Sequence, residues 1–200
     1  MCYFAMAWAD YRNYVEQFHS KLSIPEFVEL FRRRANGGKV SIPKDMEVAF
    51  SDPHNEEERS IQAMNTAFAA AESTRLEQEL FSQRTRLVEA KRKLQVKPTK
   101  AATHSQRIAS YKIGRAMVKL ADLRRTDPKD SDSRIYPGNY APVMVMEDGQ
   151  RIMKPMRYQF RPAGKPAFYD EGYPGTYYAR RDNLEVFGRG TLATPTASWW

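Results

Sequence analysis

The chain has 200 residues, 42% hydrophobic and 28% charged, with a formal net charge of +8 and a sequence pI of about 9.6. That size suits one domain or a domain with an insertion, and the basic balance points to a polyanionic partner, nucleic acid first and an acidic membrane surface second. One cysteine excludes an intramolecular disulfide and indicates a reducing, cytoplasmic setting, and no apolar run approaches the roughly 20 residues of a membrane span.

The first residues carry no basic n-region, so no signal peptide is expected. Residues 5–19 alternate at helical spacing, with Trp8, Tyr11, Val15 and Phe18 on one face, and predict a helix. A second helix is expected from Ile24-Pro25, capped by Ser23, with Phe27, Leu30 and Phe31 as its stripe. Arg32, Arg33 and Arg34 close it as a solvated last turn, and Asn36-Gly37-Gly38 stops it. Ile42-Pro43 opens a short helix with Met46, Val48, Ala49 and Phe50. A long helix then runs from Asp52 to about Leu94, with Leu76, Leu80, Leu87 and Leu94 at sevens and fours. A second runs from Thr99 to about Leu123, with Ile108, Tyr111, Met117 and Leu120 along it. The break at Lys97-Pro98-Thr99 predicts an antiparallel helical hairpin.

Charge is segregated along that hairpin. Residues 84–125 hold 13 Lys or Arg against Glu89 and Asp122, whereas residues 54–83 hold six Glu against Arg59 and Arg75. Pairing across two solvated helices explains most of these residues. A basic face that grips phosphates is the sharper alternative. After the polar linker at Asp127–Asp132 the period drops to two. Residues 141–146 and 151–158 predict a β-hairpin turning at Glu147-Asp148-Gly149-Gln150. Residues 161–176 read as an ordered loop and Thr176–Arg180 as a short strand. The histidines His19, His54 and His104 are scattered and give no zinc pattern. No cofactor is implied.

Cys2 stands beside the start methionine. Taken alone it reads as a small hydrophobe. Removal of Met1 would instead leave a free α-amine, with a pKa of about 8, next to a thiol of about 8.5. Such a 1,2-aminothiol condenses with an aldehyde to an imine, and its thiolate then closes a thiazolidine ring. An internal cysteine cannot do this, because its nitrogen is an amide.

Several separated pieces fall in one order: Met1-Cys2; Ser133-Arg134-Ile135-Tyr136-Pro137-Gly138-Asn139-Tyr140-Ala141-Pro142; Met156-Arg157-Tyr158-Gln159-Phe160-Arg161-Pro162; and Tyr178-Ala179-Arg180-Arg181-Asp182-Asn183. As an ordered set they resemble the SOS-response-associated peptidase family, the abasic-site-crosslinking proteins, in a bacterial branch with a long helical insertion. The resemblance implies binding of single-stranded DNA bearing abasic sites, autopeptidase and DNA-crosslinking activity, and Cys2 as the nucleophile. Arg157, Arg180 and Arg181 are then expected on phosphates and Tyr158 and Tyr178 as stacking surfaces, while Asn139 and Pro142 are structural. Two departures stand out: Tyr178 replaces the family's asparagine, and the family's catalytic Glu and His lie in a half this sequence lacks.

The expected fold is α+β: a small mixed or antiparallel β core with a long antiparallel helical hairpin inserted. Residues 1–20 and 132–187 would form a partial core with an unpaired sheet edge, 21–131 the insertion, and 188–200 an aberrant tail. That tail suggests a shifted reading frame. The codons of Trp199-Trp200 are TGG-TGG alone, and one base back they end in Val, after a stretch writable as Gly-His-Pro-His-Gly. The alternative reading is a non-enzymatic basic helical protein that binds nucleic acid or a partner protein. A denaturation-resistant adduct with an abasic oligonucleotide separates the two.

Overall fold

A computed structural model describes residues 5–6, 15–127, 129–159, 166 and 169. The fold is α+β, with four helices, a three-stranded mixed sheet and a two-stranded one among the described residues. The strand expected at Thr176–Arg180, the tail at 188–200 and all of the loop at 161–176 but residues 166 and 169 lie outside the described residues. The chain divides into two compact units, Met1–Met64 with Lys129–Trp200, and Asn65–Pro128. The insertion expected over 21–131 is therefore not one body. Residues 21–64 belong with the sheet, because their apolar faces pack on it.

In the first unit, strand β1 (Ala5–Met6) pairs antiparallel with β3 (Arg134–Ile135), Ala5 opposite Ile135. This corrects the helix expected over 5–19 at its start. Pairing with a strand far along the chain outweighs local helical periodicity there. Residues 15–17 form one helical turn, and 7–14 lie outside the described residues. Strand β2 (Lys21–Leu22), which no local pattern announced, runs parallel to β5, Leu22 opposite Met153.

Helix α1 (Ile24–Ala35) has Pro25 in its first turn and Glu26 where the dipole favours an acid. Ser23 occupies the N-cap position without a side-chain cap, and its N–H donates to the Met153 carbonyl at 2.9 Å, extending the sheet contact. The helix ends in a Schellman motif. Gly38 N–H reaches the Arg33 carbonyl at 2.9 Å and Gly37 N–H the Arg34 carbonyl at 3.0 Å, with Gly37 at φ 82°. A Cβ on Gly38 would stand 2.7 Å from the Arg33 carbonyl oxygen, so that position requires glycine. Arg34 departs from the solvated role expected for the triplet. It is 5% exposed, ion-paired with Glu47, and its guanidinium lies 5.3 Å from the Phe31 ring centroid. Arg32 remains at the surface, paired with Glu29.

Helix α2 (Lys44–Val48) turns Met46 inward and leaves Val48 half exposed. Helix α3 (Glu56–Val96) starts a few residues later than expected. Asn55 Oδ1 accepts the Glu58 N–H at 2.8 Å, and Glu58 reaches back to accept the His54 N–H at 2.8 Å. This reciprocal pair satisfies two early donors, in the manner of a capping box, and outcompetes a start at Asp52-Pro53. Phe27, Leu30, Phe31, Met46, Phe50, Ile61 and Met153 close the core. The Phe50 ring meets both Phe27 and Phe31 at centroid distances of 5.6 Å, tilted to one and edge-on to the other.

Strands β4 (Tyr140–Glu147) and β5 (Gln150–Arg157) form the expected hairpin. Asp148 at φ 49° and Gly149 at φ 76° give the two left-handed residues that a tight two-residue turn needs. The sheet order is β2–β5–β4, leaving β4 outermost among the described strands. Pro142 stands opposite Pro155. The Met153 carbonyl faces β2, and Tyr158 N–H bonds the Asn139 carbonyl, so by alternation the proline pair falls between ladder bonds. Neither missing N–H is owed to the β4–β5 ladder.

The second unit is a helical hairpin of the remainder of α3 and α4 (Lys100–Arg124). Thr99 caps α4, its hydroxyl accepting the Ala102 N–H at 3.2 Å. The residues buried on α4 are Ala102, Ala109, Ala116 and Leu120. Of the residues expected along this helix, Leu120 is buried while Tyr111 and Met117 are exposed, and the alanines at sevens take the buried face, which permits close approach. On α3, Leu76 and Ala90 are buried, and Gln83 stands midway between them with its Oε1 buried and without a hydrogen-bond partner. Cross-helix bonds fix the antiparallel register: Arg86 to Ser105 at 2.9 Å, Lys112 to Glu79 at 4.0 Å, and Arg124 to Glu77. Glu72 lies in the same acidic stretch, and its bond from Arg75 holds its carboxyl below the usual range.

Candidate nucleic-acid interface

The segment Tyr136-Pro137-Gly138-Asn139 is a turn dictated by its residues. Proline suits the second position and glycine the third, where φ is 88°, and the Asn139 N–H closes the turn on the Tyr136 carbonyl at 2.9 Å. The turn is docked on the end of β5. Gly138 N–H donates to the Tyr158 carbonyl at 2.9 Å, and Tyr158 N–H donates to the Asn139 carbonyl at 2.7 Å. Arg157 Nε reaches the Gly138 carbonyl at 3.4 Å, and its guanidinium lies 3.8 Å from where a Gly138 Cβ would be. Asn139, Arg157 and Tyr158 therefore share one corner, each half-buried, with Tyr136 more exposed beside them. Pro142 sits three residues further along, in β4.

Ser41 joins this corner from a segment 98 residues away. Its hydroxyl donates to Asn139 Oδ1 at 2.8 Å, its carbonyl accepts the Tyr140 N–H at 2.9 Å, and the two chains form an isolated parallel bridge. The Asn139 side chain is thereby engaged in holding the turn. Nothing local in the sequence marks Ser41, because its partner is set by the tertiary fold.

Lys154 is a second long-range junction. Its Nζ meets Glu147 at 2.6 Å and Glu26 at 3.0 Å, tying β5 to β4 and to α1. The bond to Glu147, aided by Glu26, raises its pKa above the ordinary lysine value.

Cys2, Tyr178, Arg180 and Arg181 lie outside the described residues. The structure brings together Asn139, Arg157 and Tyr158 of the expected set. It also pairs Ala5–Met6 with Arg134–Ile135, directly before the turn. Among the described residues no three His, Cys, Asp or Glu side chains gather as a metal site, and no helix is long and apolar enough to cross a membrane. No family model matches the chain, and no curated protein or solved structure matches it.

Proposed function

We propose that this protein binds single-stranded DNA and crosslinks abasic sites through Cys2, as the resemblance of its ordered motifs to the SOS-response-associated peptidase family suggests. One observation supports the reading most. Strand β1, which begins three residues after Cys2, pairs with the strand leading into the Tyr136–Asn139 turn, on which Arg157 and Tyr158 are docked. Ala5–Met6 thus pair with the strand that leads into this turn, and the turn carries a cation and an aromatic ring, the pair that a single strand calls for.

In the proposed step, the α-amine of Cys2 adds to the sugar aldehyde and expels water as the imine forms. The thiolate then adds to the imine carbon, the nitrogen takes a proton, and a thiazolidine results. The cytoplasm, with DNA as the resting place, is the matching location.

The test is incubation of the full chain with an abasic single-stranded oligonucleotide. A denaturation-resistant adduct is expected. It should disappear in Cys2→Ala and in a protein with an extended N-terminus, and intact mass should show the loss of one methionine. An adduct that survives either change overturns the proposal.

A further inference from the structure

We infer that the distal half of the helical hairpin is a separate binding surface for the phosphodiester backbone of single-stranded nucleic acid. The two halves of this hairpin are electrostatically different. Near its base, Glu72, Glu77 and Glu79 have basic partners in Arg75, Arg124 and Lys112. Toward the turn, Arg84, Lys91, Lys93, Lys97, Lys100 and Arg107 are all exposed, and none has a carboxylate partner among the described residues. Glu89 is the one acidic residue between Arg84 and Arg115.

The register sharpens the point. The bond from Arg86 to Ser105 and the pair Lys112–Glu79 set the two helices level. Carried along the same register, Arg84 comes level with Arg107, and Lys91 with Lys100. Like charges placed level on neighbouring helices repel, so internal stability gives no reason for them. A polyanion laid along the hairpin gives one. The cations from Arg84 to Lys97 span roughly 20 Å of helix.

The shape selects among polyanions. Two packed helices are about 20 Å wide, too broad for the roughly 12 Å major groove of a duplex. A single strand can lie along them. At the inner end of this surface, level with Leu80, Tyr111 is 63% exposed, with the Arg115 guanidinium 5.7 Å from its ring centroid. An aromatic face flanked by cations suits an unpaired base. A membrane fits less well, because the exposed apolar residues of this stretch, Phe81, Val88 and Val96, stand seven and eight residues apart among the charges.

The inference is independent of Cys2, since an undamaged oligonucleotide carries no aldehyde. The experiment is fluorescence anisotropy of the full chain with an undamaged single strand on the order of 20 nucleotides, in salt from about 50 to 200 mM. Contact with four to five phosphates predicts a log–log salt slope of about −3. Arg84→Gln/Lys91→Gln/Lys100→Gln/Arg107→Gln should weaken binding about tenfold or more and flatten the slope by about 2 to 3. Arg75→Gln/Lys112→Gln/Lys119→Gln/Arg124→Gln removes the same charge near the base and should cost less than about threefold. Far-UV circular dichroism checks that each variant keeps its helices. If the distal quadruple variant does not, Lys91→Gln/Lys100→Gln replaces it, with a loss of about threefold expected. Equal losses from the distal and basal variants would reduce the effect to net charge and overturn the inference. So would a flat salt slope in the wild type, or tighter binding to a duplex or to vesicles containing phosphatidylserine.

Discussion

Phe50→Ala should nearly unfold the first unit. Phe50 is fully buried and its ring is shared between Phe27 and Phe31, each at 5.6 Å. Truncating a buried phenylalanine costs about 3–5 kcal/mol through lost transfer energy and the cavity left behind. Each aromatic pair adds about 0.5–1.5 kcal/mol beyond area, which places this site toward the top of that range. The whole stability of a domain is about 5–15 kcal/mol. With a urea dependence of about 1–3 kcal/mol per molar, the midpoint should fall by roughly 2 M. Urea unfolding followed by near-UV and far-UV circular dichroism measures this. Phe81→Ala, at a residue 75% exposed, is the control and should stay within about 0.5 kcal/mol. A Phe50→Ala loss below about 1 kcal/mol would show that α1, α2, the start of α3 and β5 do not share a tight core.

Lys154→Met should destabilise the protein at neutral pH, and the deficit should shrink at high pH. The folded-state pKa of Lys154 is raised, so its contribution is fully present below the unfolded value, about 10.4, and is lost as pH rises through the folded value. A wild-type-minus-variant difference that stays constant through that range in thermal melts would count against the pairing with Glu147 and Glu26. Gln83→Leu should stabilise the hairpin by about 1–2 kcal/mol, because it replaces a buried oxygen without a partner by an apolar group of similar size. Loss of stability in a urea titration would mean that Gln83 has a role in pairing the helices.

What the sequence made legible divides by the range of the interactions. The helix ends at Gly37 and Thr99 and the turn at Asp148-Gly149 are local chemistry, and residue type alone announces them. Helix α3 starts after Asp52-Pro53 because Asn55 and Glu58 form a reciprocal pair that this dipeptide does not announce. The buried face of α4 is weakly marked in the sequence apart from Leu120, because its other buried residues are alanines, which carry little hydrophobic signal at heptad spacing. The strand at Ala5–Met6, the burial of Arg34 and the bond from Ser41 to Asn139 all depend on partners far along the chain. In the candidate corner, the turn could be read from Pro137-Gly138. Its support from Ser41 could not.

The proline of β4 bears on how this protein behaves among copies of itself. By the alternation of the strand, Pro142 points its nitrogen to the outer edge of the sheet. There Tyr140 is already engaged by Ser41, and Pro142 has no proton to give. A strand arriving from another molecule would therefore find two consecutive docking positions closed before it reached Met144. The residue that leaves the internal ladder untouched thus interrupts the outer row of β4, along which identical chains could otherwise pair into a growing β-ribbon.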